Sequence, residues 1–242
     1  MAITVPDQPG TQVEPANSYG SSGNFHPMPY SVPSDVRRMD VGQDVNTGNE
    51  QIRSMSENLR NYTKALFAFD HVVKNAKPTT YKRKSPCEGW TGADVYEHVL
   101  GGVKMVQSFA ATGTGPRSTP KLGAKPLEAW EKLRDQTLEA LDQEGVLQSI
   151  AKDPFGPDFG PMSIDALVGF MTADLAVHTW DLARTAKVDE RLDPGLVKFA
   201  NTVWRNLPDP VLRSQGMFGP KVKVEKGADA QTKMLNYLGR TV

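Results

Sequence analysis

The amino-acid sequence predicts a mainly α protein: an up-and-down four-helix bundle with an extended N-terminal arm and a small C-terminal α/β subsection. Three observations lead there. Apolar residues recur at spacings of three and four in long stretches between residues 50 and 187, the period of one buried helix face. Clusters of Pro, Gly and Ser separate those stretches, as loops do. The first 48 residues show neither a helical nor a strand period.

Taken in order, residues 1–48 are rich in Pro, Gly, Ser and Asn and poor in aliphatic side chains. Alone, such a segment buries too little apolar surface to offset its ordering entropy. It reads either as a flexible tail or as an extended arm that docks through Phe25, Met28, Pro29 and Tyr30. From Glu50 to about Lys74, Leu59, Tyr62, Leu66, Phe69 and Val73 line one helical face, and Lys77-Pro78 ends the helix. Thr91 opens a second helix that runs to Gly113, with Asp94 placed for a capping box and Val95, Val99, Val103 and Val106 inside. A third helix spans Pro126 to about Gln143, with proline in its first turn. Residues 145–162, including DPFGPDFGP, read as an irregular loop. Ser163 caps a fourth helix that reaches about Lys187 and has the densest apolar content in the chain. A fifth begins at Asp193-Pro194 and stops before Pro208. Alternation at Lys221–Val224 signals a short strand, and a last helix is expected over 228–239. The division is therefore an arm (1–48), a helical bundle (49–190) and a C-terminal section (191–242).

Composition excludes some functions. The 242 residues carry 28 Lys and Arg against 28 Asp and Glu, so nothing electrostatic favours nucleic acid or an anionic membrane as partner. No apolar run approaches the roughly 18 residues needed to span a bilayer, and the first residues do not read as a secretory signal. The single cysteine, Cys87, permits no internal disulfide and fits a reducing cytoplasm. Cytoplasmic localisation is the expectation.

Asp174 and His178 stand four residues apart on the fourth helix, so their heads lie one turn apart on one face. His98 lies beside the buried face of the second helix. If those helices are neighbours, the three groups can meet. Two imidazoles and a carboxylate suit zinc, nickel, iron or manganese, and three protein ligands leave a position open for water or substrate. By spacing alone the first reading is the ordinary one, a chance Asp-x-x-x-His pair with a satisfied core histidine, and a metal site is the second. Cys87 reads as a loop-packing residue, because no histidine is near it in sequence. His71 is a remote candidate for a fourth ligand, and His26 lies in the arm. Trp90 and Trp180 read as bundle core, and Lys82-Arg83-Lys84 as a solvated turn.

Two segments add a resemblance. SPCEGWTGADVYEHVLGG contains Pro86, Cys87 and Trp90, with His98 eight residues after the tryptophan. ADLAVHTWDLART places Asp174 four residues before the run of His178, Trp180, Asp181, Leu182 and Ala183. Both are similar to signatures of the mycothiol-dependent maleylpyruvate isomerase N-terminal family, within the broader DinB-like bundles. The ending MFGPKVKVEKGADAQTKMLNYLGR resembles the C-terminal section of the family's actinobacterial branch. The resemblance covers about residues 50–240 and departs from the family in two ways: Asp174 replaces a glutamate, and the arm has no counterpart.

The resemblance implies a divalent metal, zinc, held by His98, Asp174 and His178. It implies a low-molecular-weight thiol such as mycothiol as cosubstrate, and isomerase or transferase chemistry on an electrophilic substrate. It places Asp181 as a residue that orients a ligand or caps the pocket, with a salt bridge to Arg184 as the other reading. Arg240 is placed as a fork for a substrate carboxylate. A different function class stays open: a non-catalytic assembly subunit, in a virion or multi-subunit complex, whose arm docks on neighbouring chains or supports a homo-oligomer. A metal-binding sensor without catalysis is a third.

Overall fold

Four long helices build the bundle, and in each the local chemistry sets the ends. In the computed structural model the described residues are 55–156, 159–213 and 217–242. The expected arm anchors Phe25, Met28, Pro29 and Tyr30, together with His26, lie outside them. Helix α1 (Glu57–Asn75) starts where the Ser56 hydroxyl accepts the Leu59 N–H, later than the Glu50 expected. The same hydroxyl donates to Asp165 at 2.5 Å, so Ser56 is held as a cap and not as a helical residue. Helix α2 (Gly92–Thr112) carries the capping box in full: Thr91 accepts from the Asp94 N–H, and Asp94 accepts from the Thr91 N–H. Gly113, at φ 70°, ends it in the left-handed conformation. Helix α3 (Pro126–Leu141) begins at its proline. Helix α4 (Ile164–Ala186) is capped by Ser163.

Helix α1 packs on α4 and α3, and α2 packs on α3 and α4. The order around the bundle is thus α1, α4, α2, α3. Its interior holds Tyr62, Leu66, Phe69, Val95, Tyr96, Val103, Trp130 and Leu167, all fully or almost fully buried. Arg134 of α3 pairs with the buried Asp70 of α1 across this interface.

Helix α4 is buried almost all round, with 18 of its 23 residues out of solvent, which is why its sequence lacks a polar stripe. Its second face meets α5 (Pro194–Arg205), on which α7 (Ala230–Tyr237) packs in turn. There Ala173, Val177 and Trp180 join Val197, Trp204, Met234 and Leu235 in a second core. The Trp204 indole N–H donates to the Ala173 carbonyl at 3.3 Å.

Three details differ from the sequence expectation. The 145–162 loop contains a two-residue antiparallel pairing, β1 (Ile150–Ala151) with β2 (Met162–Ser163), too short to leave an alternation in sequence. A five-residue helix, α6 (Asp209–Arg213), follows Pro208. The strand expected at Lys221–Val224 does not form. No second strand lies beside it among the described residues, and Val222 donates its N–H to the carbonyl of Asn236 in α7. No helix among the described residues is long and apolar enough to cross a membrane.

The turn after α7 rests on Gly239. Its φ is +80°, and a β-carbon there would lie 2.8 Å from the Gly219 backbone. Gly239→Ala should therefore lower stability by about 1–3 kcal/mol, read as a lower urea midpoint; an unchanged midpoint would refute the close approach.

Candidate metal centre

The α2–α4 contact brings His98, Asp174 and His178 together. His98 Nε2 lies 3.2 Å from Asp174 Oδ2, and His178 Nε2 lies 3.5 Å from Asp174 Oδ1. The two imidazole centres are 4.5 Å apart, and one donor atom from each of the three residues falls within 4.8 Å of the others. A tetrahedral zinc with bonds near 2.0–2.1 Å has ligand atoms about 3.4 Å from one another. The two histidine–carboxylate separations, each to a different Asp174 oxygen, are close to that edge, the donor types suit such an ion, and Asp174 reaches both histidines despite being shorter than glutamate.

Trp90, expected in the bundle core, is half-buried at its edge, packed against the core on one side and flanking this group on the other. Its ring is 5.7 Å from His178 and nearly parallel to it, at 14°, and 5.1 Å from His98. The loop that carries it is pinned by the Lys84–Thr91 bridge and by the Ser85 N–H donating to the Trp90 carbonyl. Trp180 does lie in a core, with the Arg184 guanidinium 4.5 Å over its ring. His71 is exposed on α1 and joins neither donor cluster, so it is not placed as a fourth ligand.

Behind His178 lies a second layer, with Asp181 fully buried and Cys87 and Arg240 nearly so. His178 Nδ1 is 3.0 Å from Asp181 Oδ2. Arg240 donates to both Asp181 oxygens, from Nε at 3.3 Å and from Nη2 at 3.0 Å. The Cys87 thiol donates to Asp181 at 3.1 Å and accepts from Arg240 Nη2 at 2.8 Å. Arg184 binds Glu190 through Nε at 2.8 Å and Nη2 at 2.5 Å, so it is not the partner of Asp181. The Arg240 fork is engaged on Asp181, while Nη1 donates to the Leu238 carbonyl. Cys87 is the member that sequence reasoning undervalued. Its partners lie 91, 94 and 153 positions away, and only the Pro86-Cys87-x-x-Trp90 spacing of the resemblance pointed towards it.

The electrostatics follow from burial and pairing. Burial pushes Asp174 up, but the two histidines outweigh it and hold the carboxyl well below the ordinary range. Burial disfavours a charged His178, yet Asp174 and the bonds to Asp181 and Cys87 raise its pKa well above the usual value. Burial pushes the Cys87 thiol up, and His178 and Arg240 do not reverse that, so Cys87 is a protonated donor and not a standing thiolate. Asp181 is pushed up by burial, but the His178 bond and the Arg240 charge bring it down to about 2.

A depressed carboxylate stabilises the fold above its unfolded pKa and loses that contribution as pH falls through its folded one. For Asp181 the window runs from 3.8 down to about 2. Within it wild type should lose about 2 kcal/mol that Asp181→Asn does not lose. Urea midpoints at falling pH check this, and parallel acid limbs would contradict it.

The sequence model of the mycothiol maleylpyruvate isomerase N-terminal domain family matches residues 63–183, half of the chain. Two uncharacterized proteins of Mycobacterium tuberculosis, from strains H37Rv and CDC 1551, are each 27% identical over 182 residues. Each alignment covers 75% of this chain and 96% of the relative. No solved structure matches the chain at a significant level.

Proposed function

This chain belongs to the mycothiol maleylpyruvate isomerase N-terminal domain family, and we propose that it is a metal-dependent transferase or isomerase working with a low-molecular-weight thiol of the mycothiol type. His98, Asp174 and His178 hold a divalent metal, and of the ions that suit two imidazoles and one carboxylate with an open position zinc is the one the family resemblance implies. The observation that carries this reading is the pairing of two layers on one imidazole: Nε2 of His178 faces Asp174, while Nδ1 meets the buried Asp181. A carboxylate on the far nitrogen of a histidine is how proteins fix a metal ligand's tautomer and ring orientation.

When bound, the metal supplies one thing: it favours the thiolate of the cosubstrate, the species that attacks an electrophile. The chain's own residues do the positioning. Asp181 accepts from His178 Nδ1–H and turns the Nε2 lone pair towards the site. Arg240 neutralises and orients Asp181. Cys87 donates a fourth hydrogen bond to that carboxylate, and Trp90 covers the two imidazoles. In this reading Asp181 and Arg240 act through His178. The expected reducing, cytoplasmic setting keeps Cys87 a thiol.

Growth with zinc followed by metal analysis tests the reading. Wild type should retain about one equivalent, and His98→Ala and His178→Ala less than about a tenth, with helical circular dichroism kept. Arg240→Ala should weaken metal affinity about 10–100-fold in a chelator competition. A wild-type protein with under about a tenth of an equivalent sinks the proposal.

A further inference from the structure

Helices α1, α2 and α4 enclose a gap beside Asp174 that is too narrow for a water molecule. Val99, Val103, Met171 and Leu175 give it apolar walls, and its two polar side chains are Tyr62 and Asp174. Tyr62 is fully buried, and its hydroxyl has no hydrogen-bond partner among the described residues. Burial, reinforced by the negative charge of Asp174, pushes its pKa up, so the hydroxyl keeps its proton and is a standing donor. Buried hydroxyls are nearly always paired, and here no water can bridge. Such a donor points to an acceptor that becomes free in another state of the protein.

Asp174 is the acceptor at hand. In this structure its oxygens are taken: Oδ2 lies 3.2 Å from His98 Nε2, and Oδ1 lies 3.5 Å from His178 Nε2. A ring nitrogen that binds a metal gives it the lone pair and has no proton left to donate. Filling the centre therefore strips Asp174 of both imidazole donors at once. The ion itself compensates one oxygen. The other is left short of a donor, and a ligating carboxylate as a rule accepts a hydrogen bond from a neighbouring group.

We propose that Tyr62 positions Asp174 as a metal ligand: with the ion in place, its hydroxyl donates to the carboxylate oxygen that the ion does not hold. The inference rests on the metal-centre reading, and adds to it a residue of α1, a helix that supplies no ligand. Tyr62 touches neither ion nor substrate in this role and transfers no proton; it is a positioning residue. An unpaired buried hydroxyl costs the metal-free protein the desolvation it never recovers. Forming the bond only on loading returns that loss as metal affinity.

The test compares the full-length wild type with Tyr62→Phe and Tyr81→Phe. Tyr81 is a second buried hydroxyl without a partner among the described residues, and it does not line the gap. In a chelator competition Tyr62→Phe should bind zinc about tenfold more weakly than wild type, and Tyr81→Phe as tightly as wild type. Stripped of metal, Tyr62→Phe should unfold at the wild-type temperature or above it, because the hydroxyl it lacks had no partner. Adding zinc to wild type should shift tyrosine absorbance to the red as the phenol begins to donate, and Tyr62→Phe should lose that shift. Unchanged zinc affinity in Tyr62→Phe would overturn the proposal, since water at the partly exposed edge of Asp174 would then serve the free oxygen. So would an equal loss of affinity in Tyr81→Phe, the absence of a red shift, or a metal-free Tyr62→Phe that unfolds several degrees below wild type. A wild type that holds no zinc defeats the metal-centre reading and this inference with it. A wild type that holds zinc no more tightly than Tyr62→Phe defeats this inference alone.

Discussion

Asp181 carries its charge with no exposure to water, and such a carboxylate is tolerable only when paired and hydrogen-bonded on every side. That requirement organises the site half of the molecule. It draws Arg240 in from 59 positions downstream, and with it the turn at Gly239 and the α7 segment that delivers the guanidinium. It holds the loop of Cys87 and Trp90 against α4, and it fixes the ring of His178. Removing any one partner leaves a buried charge under-compensated, so the C-terminal section and the bundle are energetically joined at one carboxylate.

Helix α4 makes that junction possible. One face completes the bundle, and the other is the floor of the second core. A helix enclosed on both sides presents its polar residues to other protein groups and not to water. Asp174, His178 and Asp181 are thus compelled to find partners within the fold. Without a metal, Asp174 and His178 satisfy each other as an ion pair with His98. On the proposed reading, metal binding releases the proton that His178 holds, as ligand deprotonation requires.

Much of the fold was legible because it depends on short-range chemistry. The capping box of Thr91 and Asp94, the Ser163 cap, the proline at Pro126 and the threefold and fourfold apolar spacings all act within a turn or two of helix. The short β1–β2 pairing and α6 were not legible, since two- and five-residue elements carry too little pattern. The alternation at Lys221–Val224 marks a local tendency towards extended backbone, but a strand needs a neighbouring strand, and among the described residues this segment pairs with α7 instead.

The same boundary runs through the site. By itself the sequence determined that Asp174 and His178 share one helical face, because the α-helical period dictates it, and the two family signatures named His98 with them. Which helices are neighbours was settled only by the packing of α2 on α4, since that depends on side chains far apart in the chain. The role of Cys87 and the engagement of Arg240 on Asp181 belong to tertiary structure for the same reason. A buried charge selects its partners by proximity in space, and no spacing along the chain records that choice.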